Sequence, residues 1–122
     1  MRKIAIILVF FFTNLNAEGF KLEKILTGLE RPWSLSFIDQ NNLIITEKPG
    51  YIKLVNLKEK IISDVKHNLN ILEDGQGGLL DIIYKDNIIF VSYSEDRSLG
   101  NSSTSVAKAE FNKKNLNFKN IF

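Results

Sequence analysis

From Phe20 onward the apolar residues come in short runs broken by turn residues, and no window carries an i, i+3, i+4, i+7 stripe long enough for a helix. The pattern predicts an all-β chain with strands over 20–26, 33–38, 43–47, 51–56, 78–84, 88–94, 104–111 and 116–121. The breaks carry turn chemistry. Asp39-Gln40-Asn41-Asn42 and Lys85-Asp86-Asn87 are tight polar links, Lys48-Pro49-Gly50 is a Pro-Gly turn, and Asn112-Lys113-Lys114-Asn115 is a polar hairpin tip.

Two stretches of this pattern can be laid over each other. Trp33 to Ile38, Leu43 to Thr46 and Tyr51 to Val55 match the plan of Leu79 to Tyr84, Ile88 to Tyr93 and Val106 to Phe111, at an offset of about 45 residues, which is the period of propeller blades. In each stretch the first two strands are apolar on both faces and the third alternates. Such a meander has inner strands covered by neighbouring blades and an outer strand that meets water. A propeller closes with roughly four to eight blades, and this chain supplies about two. The expectation is a fragment of a longer protein, or blade faces buried against another chain. A self-contained β-sandwich is the alternative that the strand pattern leaves open.

The first residues read differently. Met1-Arg2-Lys3 precedes the apolar run Ile4 to Phe12, which gives way to Thr13-Asn14 and the small Ala17. This is the order of a secretory signal peptide, 1–17, although Leu15 is larger than the ideal residue at its position before the cut. The run is about half the ~20 residues that span a bilayer, so no permanent membrane anchor is expected. The mature chain is then 18–122, exported to the periplasm or secreted.

Composition narrows the chemistry. With 44% hydrophobic and 25% charged residues, the chain has the make-up of a folded domain. Cleavage removes Arg2 and Lys3 from the 16 basic residues and leaves as many as the 14 acidic ones. A neutral chain with no Lys/Arg-dense stretch offers no footprint for nucleic acid or an anionic membrane. The absence of Cys excludes thiolate zinc sites, redox dithiols, a cysteine nucleophile and a lipidated Cys.

Few residues suggest a site. Asp74-Gly75-Gln76-Gly77-Gly78-Leu79-Leu80 resembles a phosphate loop only in its glycines: a dinucleotide fingerprint needs a small residue at Leu80 and a helix after it, and a Walker loop needs Gly-Lys-Ser/Thr. A strand follows instead, so the glycines let the backbone pass close to a neighbour or ligand, and Gln76 projects an amide at the start of an inner strand, near the central channel of a propeller. Gln76 is either a ligand contact or a plain turn residue. His67 is the only imidazole and is read as a solvated loop histidine. The adjacent pairs Glu73-Asp74 and Glu95-Asp96 are read as solvated loop carboxylates, and no metal site is assigned. Trp33, after Pro32, is read as a core or inter-blade aromatic. Asn101-Ser102-Ser103 matches a glycosylation sequon.

Four segments together resemble a known family: Leu29-Glu30-Arg31-Pro32-Trp33-Ser34-Leu35-Ser36-Phe37, Leu43-Ile44-Ile45-Thr46-Glu47-Lys48-Pro49-Gly50, Gly75-Gln76-Gly77-Gly78-Leu79-Leu80-Asp81 and Val91-Ser92-Tyr93-Ser94-Glu95. They are similar, in order and spacing, to the opening blades of the soluble pyrroloquinoline-quinone (PQQ) aldose sugar dehydrogenases of the glucose/sorbosone dehydrogenase family. The resemblance implies an exported six-bladed propeller of four-stranded antiparallel sheets, incomplete in this chain. It implies oxidation of an aldose at its anomeric carbon, with a histidine base, PQQ as hydride acceptor and calcium polarising the quinone. It further implies an external electron acceptor, and a homodimer is open for the full-length protein.

Residue by residue, only Gln76 matches a family active-site position, in the sugar and cofactor pocket. No catalytic residue falls in this chain. The base, the basic residues that hold the quinone and the calcium ligands are expected beyond Phe122, and His67 is not the family base. This chain alone is then expected to be inactive. Lys48 stands where Arg is usual, and Lys85-Asp86-Asn87 shortens a His-Pro-Asp-Phe turn. The rival readings are a propeller that binds a ligand or partner without catalysis and a truncated product without function.

Overall fold

The computed structural model describes residues 19–122, so the signal-peptide reading of 1–17 lies outside the described residues. Four strands follow one another as an antiparallel meander: β1 (Pro32–Phe37), β2 (Asn42–Glu47), β3 (Tyr51–Asn56) and β4 (Ile61–His67). A second meander comprises β5 (Leu79–Lys85), β6 (Ile88–Asp96) and β7 (Ser102–Glu110), and two short strands follow, β8 (Asn115–Leu116) and β9 (Lys119–Asn120). The sheets run β1-β2-β3-β4-β8 and β5-β6-β7-β9.

The turns close as their sequences dictate. Asp39 accepts the backbone N–H groups of Asn41 and Asn42, each at 2.8 Å, and ties the β1–β2 hairpin. Gly50, at φ 111°, donates its N–H to the Glu47 carbonyl at 2.9 Å between β2 and β3. Asp86 and Asn87 have φ of 50° and 64°, as a two-residue hairpin between twisted strands requires.

The core explains the doubly apolar β2, whereas β1, read as apolar on both faces, leaves Trp33, Leu35 and Phe37 exposed. On β2, Ile44 packs into a cluster shared by both sheets, with Ile52 and Val65 from the first and Leu79, Ile82, Ile89 and Val91 from the second. Leu43 and Ile45 point the other way and join Val55 in a smaller cluster, against which Leu26, Leu29, Leu57 and Ile62 pack. Both faces of β2 are therefore covered. Between the sheets, β5 lies against β1 and β2 through hydroxyls as well as hydrocarbon: Thr46 Oγ1 donates to the Leu80 carbonyl at 2.5 Å, and Ser36 Oγ accepts the Tyr84 N–H at 2.9 Å.

Three elements differ from the sequence reading. Residues 20–26 form no strand, because no other strand of the described chain offers them a ladder; Phe20 and Leu22 are fully exposed. Strand β4 was not predicted, since Ile61-Ile62-Ser63-Asp64-Val65-Lys66-His67 is an outer strand that buries only Val65 and so lacks a continuous apolar signal. The predicted strand 116–121 splits into β8, which runs parallel to the end of β4, and β9, which pairs with β7. Leu116 and Phe118 fill the shared core at this crossing.

Candidate functional site: the glycine loop and its surroundings

The loop from Glu73 to Gly78 leads into β5 and passes between the end of β2 and β6. Leu79 donates its N–H to the Lys48 carbonyl at 3.0 Å, and Ser94 donates to the Gly78 carbonyl at 2.8 Å. This close approach fixes two glycines. A Cβ on Gly78, at φ 149°, would lie 2.4 Å from the Lys48 carbonyl oxygen, and one on Gly77 would lie 2.6 Å from Ser94 Oγ. The loop turns on a hydrogen bond from Gly77 N–H to the Asp74 carbonyl at 2.7 Å. The N–H groups of Gly77 and Leu79 are thus committed to carbonyls and do not form an anion cradle. At the apex of the turn Gln76 is exposed.

Charged residues from the first sheet surround the loop. The Arg31 guanidinium meets the Glu73 carboxylate with both terminal nitrogens. Lys48 Nζ donates to the Gly75 carbonyl at 2.5 Å and lies 5.9 Å from the centroid of the Trp33 ring. Trp33, read as a core or inter-blade aromatic, is 46% exposed on β1, where Leu35 and Phe37 on the same face are exposed too. Glu47 is buried and accepts the Glu30 N–H at 2.5 Å, with Lys53 Nζ 3.6 Å away. Two concavities, of about 560 Å³ beside Phe111 and Asn112 and about 480 Å³ beside Tyr51 and His67, lie away from Gln76.

The other candidate residues are structural. His67 closes β4 and is half-buried, not a free loop residue: its Nε2 pairs with the Gly50 carbonyl at 2.7 Å, and its Nδ1 accepts the Leu69 N–H at 3.2 Å. Those partners fit the neutral imidazole protonated on Nε2 and leave neither nitrogen free for proton transfer. Glu95, read as solvated, lies on β6 and ties its neighbours together by accepting Ser105 Oγ at 2.7 Å and Asn120 Nδ2 at 3.2 Å. Asn120 Oδ1 in turn accepts the Tyr93 hydroxyl at 2.7 Å, and burial raises the Tyr93 phenol pKa. Among the described residues no group of three or more His, Asp or Glu side chains converges to hold a metal ion.

The contacts around the loop that sequence reasoning missed are those of Arg31, Lys48 and Glu73, the last read as a solvated carboxylate. All three are ordinary charged residues, each in its own segment. Arg31 and Glu73 stand 42 positions apart, and no local pattern marks them as partners.

Comparison with known proteins places this arrangement. The chain resembles a crystal structure of glucose dehydrogenase, 29% identical with a TM-score of 0.75, over 82% of this chain and 32% of that one. It also resembles the soluble aldose sugar dehydrogenase of Escherichia coli in its apo-form, 25% identical with a TM-score of 0.74, over 82% of this chain and 31% of that one. A PQQ-bound aldose sugar dehydrogenase from Streptomyces coelicolor shares the fold at 18% identity and a TM-score of 0.71, over 83% of this chain and 32% of its own. The chain therefore spans about a third of the length of these solved relatives. These likenesses assign the two sheets to the blades of a β-propeller, not to a closed sandwich. The glucose/sorbosone dehydrogenase family pattern matches residues 29–122, which include every strand of the described residues and the whole glycine loop. The chain belongs to the glucose/sorbosone dehydrogenase family.

Proposed function

We propose that this chain is the opening part of an exported dehydrogenase that oxidises aldose sugars at the anomeric carbon with PQQ, and that Gln76 lines its sugar and cofactor pocket. The observation that carries the reading is the construction of the glycine loop within a family-matched chain. Its two tight glycines let the backbone thread between Lys48 and Ser94, which leaves the Gln76 amide at an exposed apex beside the first strand of the second blade.

The quinone, when bound, supplies the two-electron acceptor. Gln76 does not transfer a proton. Its amide offers a donor and an acceptor together, which suits a sugar hydroxyl that must be held in one orientation. His67 is excluded as the base because both ring nitrogens have backbone partners. The base, the quinone's charged contacts and the calcium ligands are assigned to no described residue, and calcium enters this reading through family resemblance alone. An external acceptor would then be needed to take up the electrons.

The test is dye-linked oxidation of glucose and other aldoses by the full-length gene product, reconstituted with PQQ and calcium. Turnover is expected. Gln76→Ala should raise KM by about tenfold, the loss of one oriented hydrogen bond. Sugar binding without dye reduction would replace this reading with a non-catalytic binding propeller, and neither binding nor reduction would end both.

A further inference from the structure

We propose that Arg31, Glu73 and Lys48 form a clamp that holds the glycine loop in place, which makes them positioning residues for Gln76; the functional half of this inference rests on the reading of Gln76 above. A loop with glycines at 75, 77 and 78 has little stiffness of its own, since glycine has the most backbone freedom to lose on ordering. Its internal restraint is the Gly77 N–H to Asp74 carbonyl bond at 2.7 Å. External restraints flank the apex on both sides. Before it, Glu73 is gripped by both terminal nitrogens of Arg31, a planar pairing that fixes direction as well as distance. At it, Lys48 Nζ holds the Gly75 carbonyl at 2.5 Å, and after it the Lys48 carbonyl accepts the Leu79 N–H at 3.0 Å.

The clamp itself is braced. Arg31 has φ 46°, a left-handed conformation that is unfavourable for a residue with a side chain and more so before Pro32. Its neighbours hold it there: the Arg31 carbonyl accepts the Lys48 N–H at 3.0 Å, and the buried Glu47 accepts the Glu30 N–H at 2.5 Å. The strained residue thus sends its guanidinium towards the loop and its carbonyl towards the strand end that carries Lys48. A pair as exposed as Arg31 and Glu73 adds little to global stability, so its effect is local order.

The experiment uses Glu73→Gln, Arg31→Lys and Lys48→Met in the full-length protein. Hydrogen exchange at Gly77 and Leu79 is expected to quicken about tenfold in each, while the amides of β3 and those of β6 other than Ser94, which is bonded to the loop, keep their rates. The doubly substituted R31E/E73R chain should restore most of the protection. In glucose oxidation the same variants should raise KM about threefold and leave kcat nearly unchanged. Unchanged exchange at Gly77 and Leu79 overturns the clamp, whatever the sugar activity. Faster exchange throughout the sheets also overturns it, because the residues would then be structural in a general sense. Faster loop exchange with an unaltered KM overturns the link to Gln76. If the unsubstituted protein oxidises no sugar, the proposed function fails and the exchange measurement still decides the clamp.

Discussion

Gly78 is the residue with least room to vary. Its φ of 149° suits glycine, and an added methyl would meet the Lys48 backbone carbonyl, which cannot move without breaking the bond to Leu79. Gly78→Ala should lower stability by about 2–4 kcal/mol in urea unfolding. Gly75→Ala, at φ 52° but in open space, should cost only about 1 kcal/mol. Tyr93 is a second residue with a defined signature. Burial raises its phenol pKa above the ordinary 10.0, and the ammonium of Lys53 is also raised from 10.5, chiefly by its hydrogen bond to Asp64. A raised native pKa contributes stability that is whole below the unfolded value and is lost as the pH climbs through the native one. Stability should therefore fall above about pH 10. Tyr93→Phe, which loses the bond to Asn120, should cost about 1 kcal/mol at neutral pH and flatten the alkaline decline.

At the scale of elements, the contact between the blades depends on hydroxyls. Strand β5 pairs with β6 alone, so its Tyr84 and Ile82 N–H groups turn to Ser36 Oγ at 2.9 Å and Ser34 Oγ at 3.5 Å on β1. Serine at both positions covers a strand edge that would otherwise be open to another chain. Ser36→Ala should cost about 1–2 kcal/mol, more than Ser34→Ala, whose bond is longer; paired denaturation curves would rank them. The polar turns that bound β1 were legible in the sequence, but its alternation was not: the strand was read as apolar on both faces, whereas Ser34 and Ser36 turn to β5 and Trp33, Leu35 and Phe37 are exposed. The polar partners of β5 were not legible either, because Ser36 and Tyr84 lie 48 positions apart. The same reason hid β4, which is held by pairing with β3 and β8 on either side and carries little apolar signal of its own.

The whole molecule is joined by one main cluster that draws on both sheets, with Leu116 and Phe118 sealing the crossing between them. Two sheets that share a core cannot unfold independently. Emission of Trp33, on the first sheet, and the ultraviolet signature of Tyr93, on the second, should therefore change at the same urea concentration. Ile52→Ala should shift both midpoints together, by an amount equivalent to about 2–4 kcal/mol. Separated midpoints would show that the blades fold as independent units.

What the sequence by itself determined is local: the β class, the turns at Asp39, Gly50 and Asp86-Asn87, the meander plan of each blade and the family string around Gln76. Each is written within a few consecutive residues, where alternation, turn chemistry and a motif complete themselves. What only the tertiary structure decided is relational. It made Glu73 the partner of Arg31, gave both nitrogens of His67 to backbone groups, sent 116–121 to two different sheets and left 20–26 without a ladder. The physical reason is that a hydrogen bond, an ion pair or a strand ladder needs two members, and here the second lies elsewhere along the chain, placed by the packing of one sheet on the other.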